Sequence, residues 1–275
     1  TSQRGPIGLT TPAQSSANCN AQDILGTLPV QQIWQWYGRL SQSIARRPVA
    51  GGGTPLASLY MDRYLNPRRN AGGSQTLFVF TAPAYLKDHA IIQDALAYHR
   101  RVYLTQERAR IGSSRSWAGI KPRWQNPGRY NWTQGTPLSM HYEALVEVPL
   151  RWQITGNAEE KDILYALGMG FQLRTDVTVN VTQNGSHLDV RFTQFSAKVV
   201  DVYDFNYSEH ITVPNPDHNS TRADAVCPSR DRIVVYHTNA RRMEQANLAA
   251  PYPLESNQWN LMAVQSLSGP GQVNL

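Results

Sequence analysis

The sequence predicts an α+β fold: a small, twisted antiparallel sheet, half-barrel-like, with several surrounding helices. Residues 172–181 and 187–195 alternate apolar and polar side chains and are joined across Asn184-Gly185, the pair most typical of a β-hairpin turn. Residues 22–45 instead have apolar side chains at helical spacing. Hydrophobic residues make up 41% of the 275 residues, beside 19 Gly and 17 Pro. Such a chain has a real core and many loops.

The N-terminal half is predicted to be mainly helical. Residues 1–20 have the polar composition of a linker, and Pro29 divides the helix of residues 22–45 or begins its longer part. Thr54 is predicted to cap a second helix that begins at Pro55. The remaining predicted elements are a strand at 76–81, the longest helix at 86–111 and a Trp-rich ordered loop at 112–139.

Strands dominate the predicted C-terminal half. We expect a strand at 143–154, a helix at 158–167, the hairpin, its continuation at 196–203 and a strand at 232–236. The predicted domains are a linker and leading helix at 1–45 and one domain at 46–275. In the second domain, a helix and the Trp-rich loop are inserted around 76–140.

Composition narrows the possible partners. The formal net charge is +6, carried in part by Arg pairs such as Arg46-Arg47 and Arg241-Arg242, which suits a phosphate-bearing partner or simply a soluble surface. No apolar run is long enough for a membrane span. The sequence also lacks a P-loop, a dinucleotide fingerprint and a serine nucleophile elbow. Cys19 and Cys227 form one disulfide or remain two free thiols.

The most informative segment lies where the predicted sheet ends. Asp201 and Asp204 flank Tyr203, and His210 follows shortly after. Two carboxylates can hold a divalent cation, and an imidazole can transfer a proton near neutral pH. The alternative is that these acids simply begin a loop, as Asp often does after a strand. The pattern predicts a small site for metal-assisted attack on a phosphate ester.

This segment, Asp201-x-Tyr203-Asp204-Phe205-Asn206-x-Ser208-x-His210, resembles the catalytic segment of colicin M and its bacteriocin relatives. The resemblance extends to Ile154-Thr155-Gly156, Ala166-Leu167-Gly168 and the Asn184-Gly185 turn. Thr54-Pro55-Leu56-Ala57 resembles the start of the helix that opens the activity domain of that family. The match covers about residues 150–250 and is weaker over 50–65.

The resemblance implies a function. Members of that family are toxins that hydrolyse the peptidoglycan precursor lipid II between undecaprenol and pyrophosphate. It implies that Asp201, Tyr203, Asp204 and His210 are catalytic, and that Asp201 and Asp204 hold Mg²⁺. The expected partners are lipid II, a cognate immunity protein and a carrier or secretion-system component, with no nucleic acid. The expected place of action is the periplasm of the target bacterium, at the outer face of the inner membrane.

One departure from the family pattern concerns the residue after the histidine. The family has an Arg there, and this chain has Ile211. An Arg would bind pyrophosphate or stabilise charge in the transition state. Arg222 and Arg230 are the expected substitutes. The alternatives are a lipid II-binding or inactive module, a nuclease, and a structural domain with an accidental Asp-Tyr-Asp pattern.

Overall fold

The computed structural model describes residues 17–43, 47–102, 138–184, 187–205 and 210–261. Short 3-10 turns lie at Leu25–Thr27 and Val49–Gly51. The α-helices are α1 Val30–Gln42, α2 Pro55–Leu65, α3 Ala84–Lys87, α4 Ala90–Arg101, α5 Trp152–Thr155, α6 Ala158–Leu167 and α7 His237–Gln245. The strands are β1 Phe78–Phe80, β2 Leu138–Glu147, β3 Gly170–Asn184, β4 His187–Tyr203, β5 His210–Pro214, β6 Arg232–Tyr236, β7 Tyr252–Ser256 and β8 Trp259–Leu261.

The chain forms two compact units. The first contains Thr1–Thr76, Arg151–Ala166 and Tyr203–Tyr252. The second contains Leu77–Leu150, Leu167–Val202 and Pro253–Leu275. The domain boundaries expected from the sequence, 1–45 and 46–275, stay a prediction.

The first unit is mainly helical, with the antiparallel pair β5–β6. Helix α1 packs against α2 and α7, and its inward face buries Ile33, Trp36 and Tyr37. The Trp36 indole Nε1 donates a hydrogen bond to Asn215 Oδ1 at 3.1 Å. Arg39, on the same helix, pairs through two nitrogens with the buried Asp217 carboxylate, at 2.7 and 2.8 Å. These contacts fix the loop after β5 to helix α1.

The second unit is built on a sheet of order β1-β7-β4-β3-β2, with β8 also paired to β4. The pairs β2–β3, β3–β4 and β4–β8 are antiparallel, and β1–β7 is parallel. Helix α4 packs on β2 and β3. There the buried His99 ring hydrogen-bonds Thr175 Oγ1 at 2.8 Å. In the same sheet, the side chains of Leu173, Ala197 and Val199 are completely buried.

The α+β class is confirmed, and so are several predicted elements. The hairpin of β3 and β4, the helix at 158–167 and the strand at 232–236 are all present. The predicted helix of residues 22–45 begins at Val30, with Pro29 as its N-cap. The predicted helix of 86–111 is divided into α3 and α4, and its part beyond residue 102 lies outside the described residues. The predicted loop at 112–139 lies outside the described residues up to residue 137, and its last two residues already belong to β2.

One predicted strand is wrong in its second half. Residues 143–147 lie in β2, but residues 152–155 form the one-turn helix α5. Pro149 lies between them and has no N–H for a strand ladder. Gly156 ends the turn, and a Cβ at this position would lie 2.5 Å from the carbonyl oxygen of Trp152. Local proline and glycine chemistry therefore overrides the apolar run.

The structure also decides the question that the sequence left open about the two cysteines. Cys19 and Cys227 form a disulfide with their Cα atoms 5.5 Å apart. Both residues belong to the first unit. Among the described helices, none has the length and apolarity that a membrane span requires.

Candidate functional site

Strand β4 ends in a cluster of aromatic rings within the first unit. Tyr203, its last residue, is only 4% exposed. Its ring centroid lies 5.5 Å from those of Phe205 and Tyr252, and 5.7 and 5.8 Å from those of Tyr60 and Tyr64. Most of these pairs are edge-to-face, a favourable arrangement of aromatic rings. Tyr203 therefore anchors the chain just before Asp204.

The two predicted acids lie on either side of this anchor along the chain. Asp204 is half-buried, follows the strand directly and belongs to the first unit. Asp201 is half-buried within β4 and belongs to the second unit. Residues 206–209 lie outside the described part of the chain.

His210 begins β5 and is exposed. It pairs across the ladder with Tyr236, and the two ring centroids lie 5.4 Å apart. Ile211 is 6% exposed, and side chains alternate along a strand. The imidazole of His210 and the side chain of Ile211 therefore lie on opposite faces of β5.

Ile211 faces a cavity of about 160 Å³ that lies wholly within the first unit and is partly open to solvent. Its wall is formed mainly by helices α1, α2 and α6, strands β5 and β6, and Phe205. The apolar part of the wall includes Leu40, Ala57, Met61, Phe205, Ile211 and Val213. The cavity is therefore lined by Phe205, the residue directly after Asp204.

Two cations belong to the same wall, Lys161 from α6 and Arg232 from β6. The Arg232 guanidinium donates to the backbone oxygens of Gln153 and Thr212, at 3.2 and 3.0 Å. Within the described residues, neither cation forms an ion pair. Two positive charges therefore border a mainly apolar space.

A phenol completes this edge of the cavity. Tyr165 Oη donates to the carbonyl oxygen of Thr212 at 3.0 Å. Burial raises the pKa of the Tyr165 phenol, and the neighbouring Arg232 guanidinium offsets part of this increase. The phenol is therefore a neutral hydrogen-bond donor at physiological pH.

The start of α2 also contributes to the wall, through Thr54, Ala57 and Ser58. The backbone N–H groups of Leu56 and Ala57 at this helix terminus already have a partner. They donate hydrogen bonds to the Asp162 carboxylate, at 3.0 and 2.8 Å. Thr54 is the N-cap residue, as predicted, but its side chain makes no capping hydrogen bond. The charge that the cavity offers to an anion therefore comes from Lys161 and Arg232.

The two arginines proposed from the sequence lie elsewhere in the first unit. Arg222 is exposed and donates to both carboxylate oxygens of Asp224, at 2.9 and 3.0 Å. These hydrogen bonds lower the pKa of the Asp224 carboxyl. Arg230 is exposed and donates to the carbonyl oxygen of Cys19 at 3.0 Å. Neither side chain belongs to the described cavity wall.

The side chains of Asp201 and Asp204 can be compared with the ligands that Mg²⁺ prefers. Mg²⁺ is held by one or two carboxylates together with waters and substrate phosphates. Asp201 and Asp204 are half-buried carboxylates, which suit Mg²⁺ by chemistry. Across the residues that the structure describes, no group of three or more His, Cys, Asp or Glu is placed to hold a metal ion.

No protein-family model, curated protein or solved structure matches this chain.

Sequence reasoning did not single out Lys161, Tyr165 or Arg232, which line this cavity. Lys161 and Tyr165 lie in a helix with an ordinary amphipathic pattern, and Arg232 begins a short strand. The only available signal was that Arg232 lies within residues 150–250, the part of the chain that carries the resemblance. The cavity brings these residues together with Ile211 from three distant parts of the chain.

Proposed function

We propose that this chain is a metal-dependent phosphodiesterase that hydrolyses lipid II between undecaprenol and pyrophosphate. In this proposal it is an antibacterial toxin that blocks cell-wall synthesis in the periplasm of its target. An immunity protein and a delivery carrier are its proposed protein partners. The observation that carries the proposal is the segment from Asp201 to His210, which has the order and spacing of residues of the colicin M family.

The cavity next to this segment supports the proposal. A substrate that joins an isoprenoid to a pyrophosphate needs both an apolar surface and positive charge. The wall around Phe205 and Ile211 supplies the first, and Lys161 and Arg232 supply the second. In the proposal Arg232 performs the function of the family arginine that Ile211 replaces. Arg222 is less suited, because Asp224 already neutralises it.

The proposed roles follow from the chemistry of each side chain. Asp201 and Asp204 would hold Mg²⁺, which when bound neutralises phosphate oxygens. His210, exposed at the start of β5, accepts the proton of the attacking water and returns one to the departing prenol oxygen. Water supplies the hydroxyl on the phosphate and the proton on the prenol, so the reaction balances. Tyr203 positions Asp204 through its ring contacts.

Hydrolysis rates of matched variants test the proposal. We expect Asp204→Asn and Asp201→Asn to lower the rate of lipid II hydrolysis at least about a hundredfold, and His210→Gln by about 10²–10⁴-fold. Asp88→Asn is the control, because Asp88 is exposed after α3 in the second unit. Full activity of Asp204→Asn, with an unchanged melting temperature, would overturn the proposal.

A binding module that holds lipid II without cleaving it is the second candidate. Ile211 favours it, because the family arginine is absent. The orientation of His210, opposite to the face of β5 that meets the cavity, favours it as well. Saturable binding of lipid II with no turnover, in Mg²⁺, would support this candidate. Cleavage of plasmid DNA or RNA would instead indicate the nuclease.

A further inference from the structure

We infer that the cavity in the first unit binds the isoprene unit next to the phosphate of a prenyl pyrophosphate, with Lys161 and Arg232 holding the phosphate end. The inference rests on the proposed function, which supplies the lipid, and goes beyond it by assigning a subsite. The residues that decide this specificity are Ala57, Lys161, Ile211 and Arg232.

The size of the cavity sets the size of its occupant. Its volume is about 160 Å³, and an apolar cavity of about 150 Å³ in another protein holds one benzene molecule. A single isoprene unit is close to benzene in size. The cavity is partly open to solvent, so the rest of a longer chain lies outside it. The affinity for prenyl pyrophosphates should therefore stop rising with chain length after the first one or two units.

The apolar wall decides which part of the lipid enters. Ile211 and Val213 are 6% and 5% exposed, and Phe205 is 5% exposed. An apolar occupant that displaces water from these side chains is favoured by the hydrophobic effect. The hydroxyls of Ser41 and Ser58 are already hydrogen-bonded, since Ser58 Oγ donates to Ser41 O at 2.7 Å and Ser41 Oγ hydrogen-bonds the Asp62 carboxylate. These groups do not require a polar ligand.

The two cations decide where the head group lies. Arg232 and Lys161 border the cavity without a carboxylate partner among the described residues. Guanidinium and ammonium groups bind phosphate oxygens by charge-assisted hydrogen bonds. The Arg232 guanidinium keeps a fixed position through its bonds to Gln153 O and Thr212 O. An occupant that is apolar at one end and anionic at the other matches both parts of the wall.

Calorimetric titration in a chelating buffer tests the subsite without turnover. The probes are geranyl pyrophosphate, farnesyl pyrophosphate, the neutral alcohol geraniol and inorganic pyrophosphate. We expect geranyl and farnesyl pyrophosphate to bind with similar affinity, and both to bind at least about tenfold more tightly than geraniol or pyrophosphate. Equal binding of geraniol, or an affinity that keeps rising with chain length, would overturn the inference.

Matched variants locate the binding. Lys161→Met and Arg232→Met should each lower the affinity for geranyl pyrophosphate by about tenfold or more. Lys87→Met and Arg241→Met make the same chemical changes outside the cavity wall. These two control variants should leave the affinity for geranyl pyrophosphate unchanged. Ala57→Leu should remove the advantage of geranyl pyrophosphate over pyrophosphate. Melting temperatures show that each variant folds, and Lys161→Met decides the matter if Arg232→Met does not fold.

The two proposals fail differently. Prenyl pyrophosphate binding that depends on Lys161 and Arg232, without any cleavage of lipid II, would support the subsite and overturn the proposed function. Cleavage of lipid II that Lys161→Met and Arg232→Met leave unchanged, with no binding of geranyl pyrophosphate, would overturn the subsite alone.

Discussion

Ile211 of β5 and Arg232 of β6 line one cavity, from two strands that pair with each other. Ile211 occupies the position at which the colicin M family, which this segment resembles, has an arginine. Arg232 places a guanidinium on the same cavity wall. A positive charge is therefore available at the cavity although the expected position lacks one.

This relationship predicts the outcome of an exchange of charge. Arg232→Met should lower lipid II hydrolysis by about 10²-fold or more, because one preorganised contact to the phosphate is lost. Adding Ile211→Arg should restore part of the activity, since its guanidinium enters the same cavity. Initial rates of the single and double variants are the measurement. Arg222→Met is the control, and full activity of Arg232→Met would contradict the account.

The start of α2 offers a prediction about stability. Asp162 is completely buried and accepts two N–H groups there, so Asp162→Ala leaves both without that partner. It should lower the free energy of unfolding by roughly 2–4 kcal/mol. Thr54→Ala should change it by less than about 0.5 kcal/mol, because the Thr54 side chain makes no capping bond. Urea denaturation of both variants is the measurement, and equal losses would contradict this assignment of the cap.

The disulfide should contribute strongly to the stability of the first unit. Cys19 and Cys227 are 208 positions apart in the chain, and closing so long a loop restricts the unfolded state. Loss of the bond should cost about 3–5 kcal/mol. The Cys19→Ala, Cys227→Ala double variant and the reduced wild-type chain should unfold at similar urea concentrations. A double variant as stable as the oxidised chain would refute this.

Because His99 is buried, we predict that the free energy of unfolding decreases in acid. Burial lowers the pKa of His99 to about 4 from its ordinary 6.5. Above pH 6.5 the residue is neutral in both states and contributes nothing. Between pH 6.5 and 4 the unfolded chain binds a proton that the folded chain does not, so stability falls as the pH decreases. The two pKa values bound this loss at about 3 kcal/mol.

Urea denaturation at pH 7.5, 6, 5 and 4 measures this effect. The wild-type chain should lose more stability over this range than His99→Gln, in which the titrating ring is absent. Parallel losses in the two proteins would show that other groups cause the acid sensitivity.

Local sequence signals predicted much of the fold. Thr54-Pro55 marked the start of α2, Asn184-Gly185 marked the boundary between the two long strands, and Pro29 preceded α1. Each signal acts within a few residues, through fixed backbone angles or a missing N–H. The same kind of signal, Pro149 with Gly156, explains why residues 152–155 turn into a helix.

Contacts between distant parts of the chain could not be predicted in this way. The pairing of Cys19 with Cys227, the bond from Asp162 to the start of α2 and the approach of Arg232 to Ile211 all depend on the tertiary fold. The motif from Asp201 to His210 could be read directly, because its residues are close in sequence. The cations beside it could not.

The most direct test of the central claim is incubation of the purified chain with labelled lipid II, in Mg²⁺ and in chelator, followed by separation of the products. We predict release of undecaprenol and a pyrophosphorylated disaccharide-peptide in Mg²⁺, and none in chelator or with Asp204→Asn. Lipid II that stays intact in Mg²⁺, with a folded protein, would contradict it.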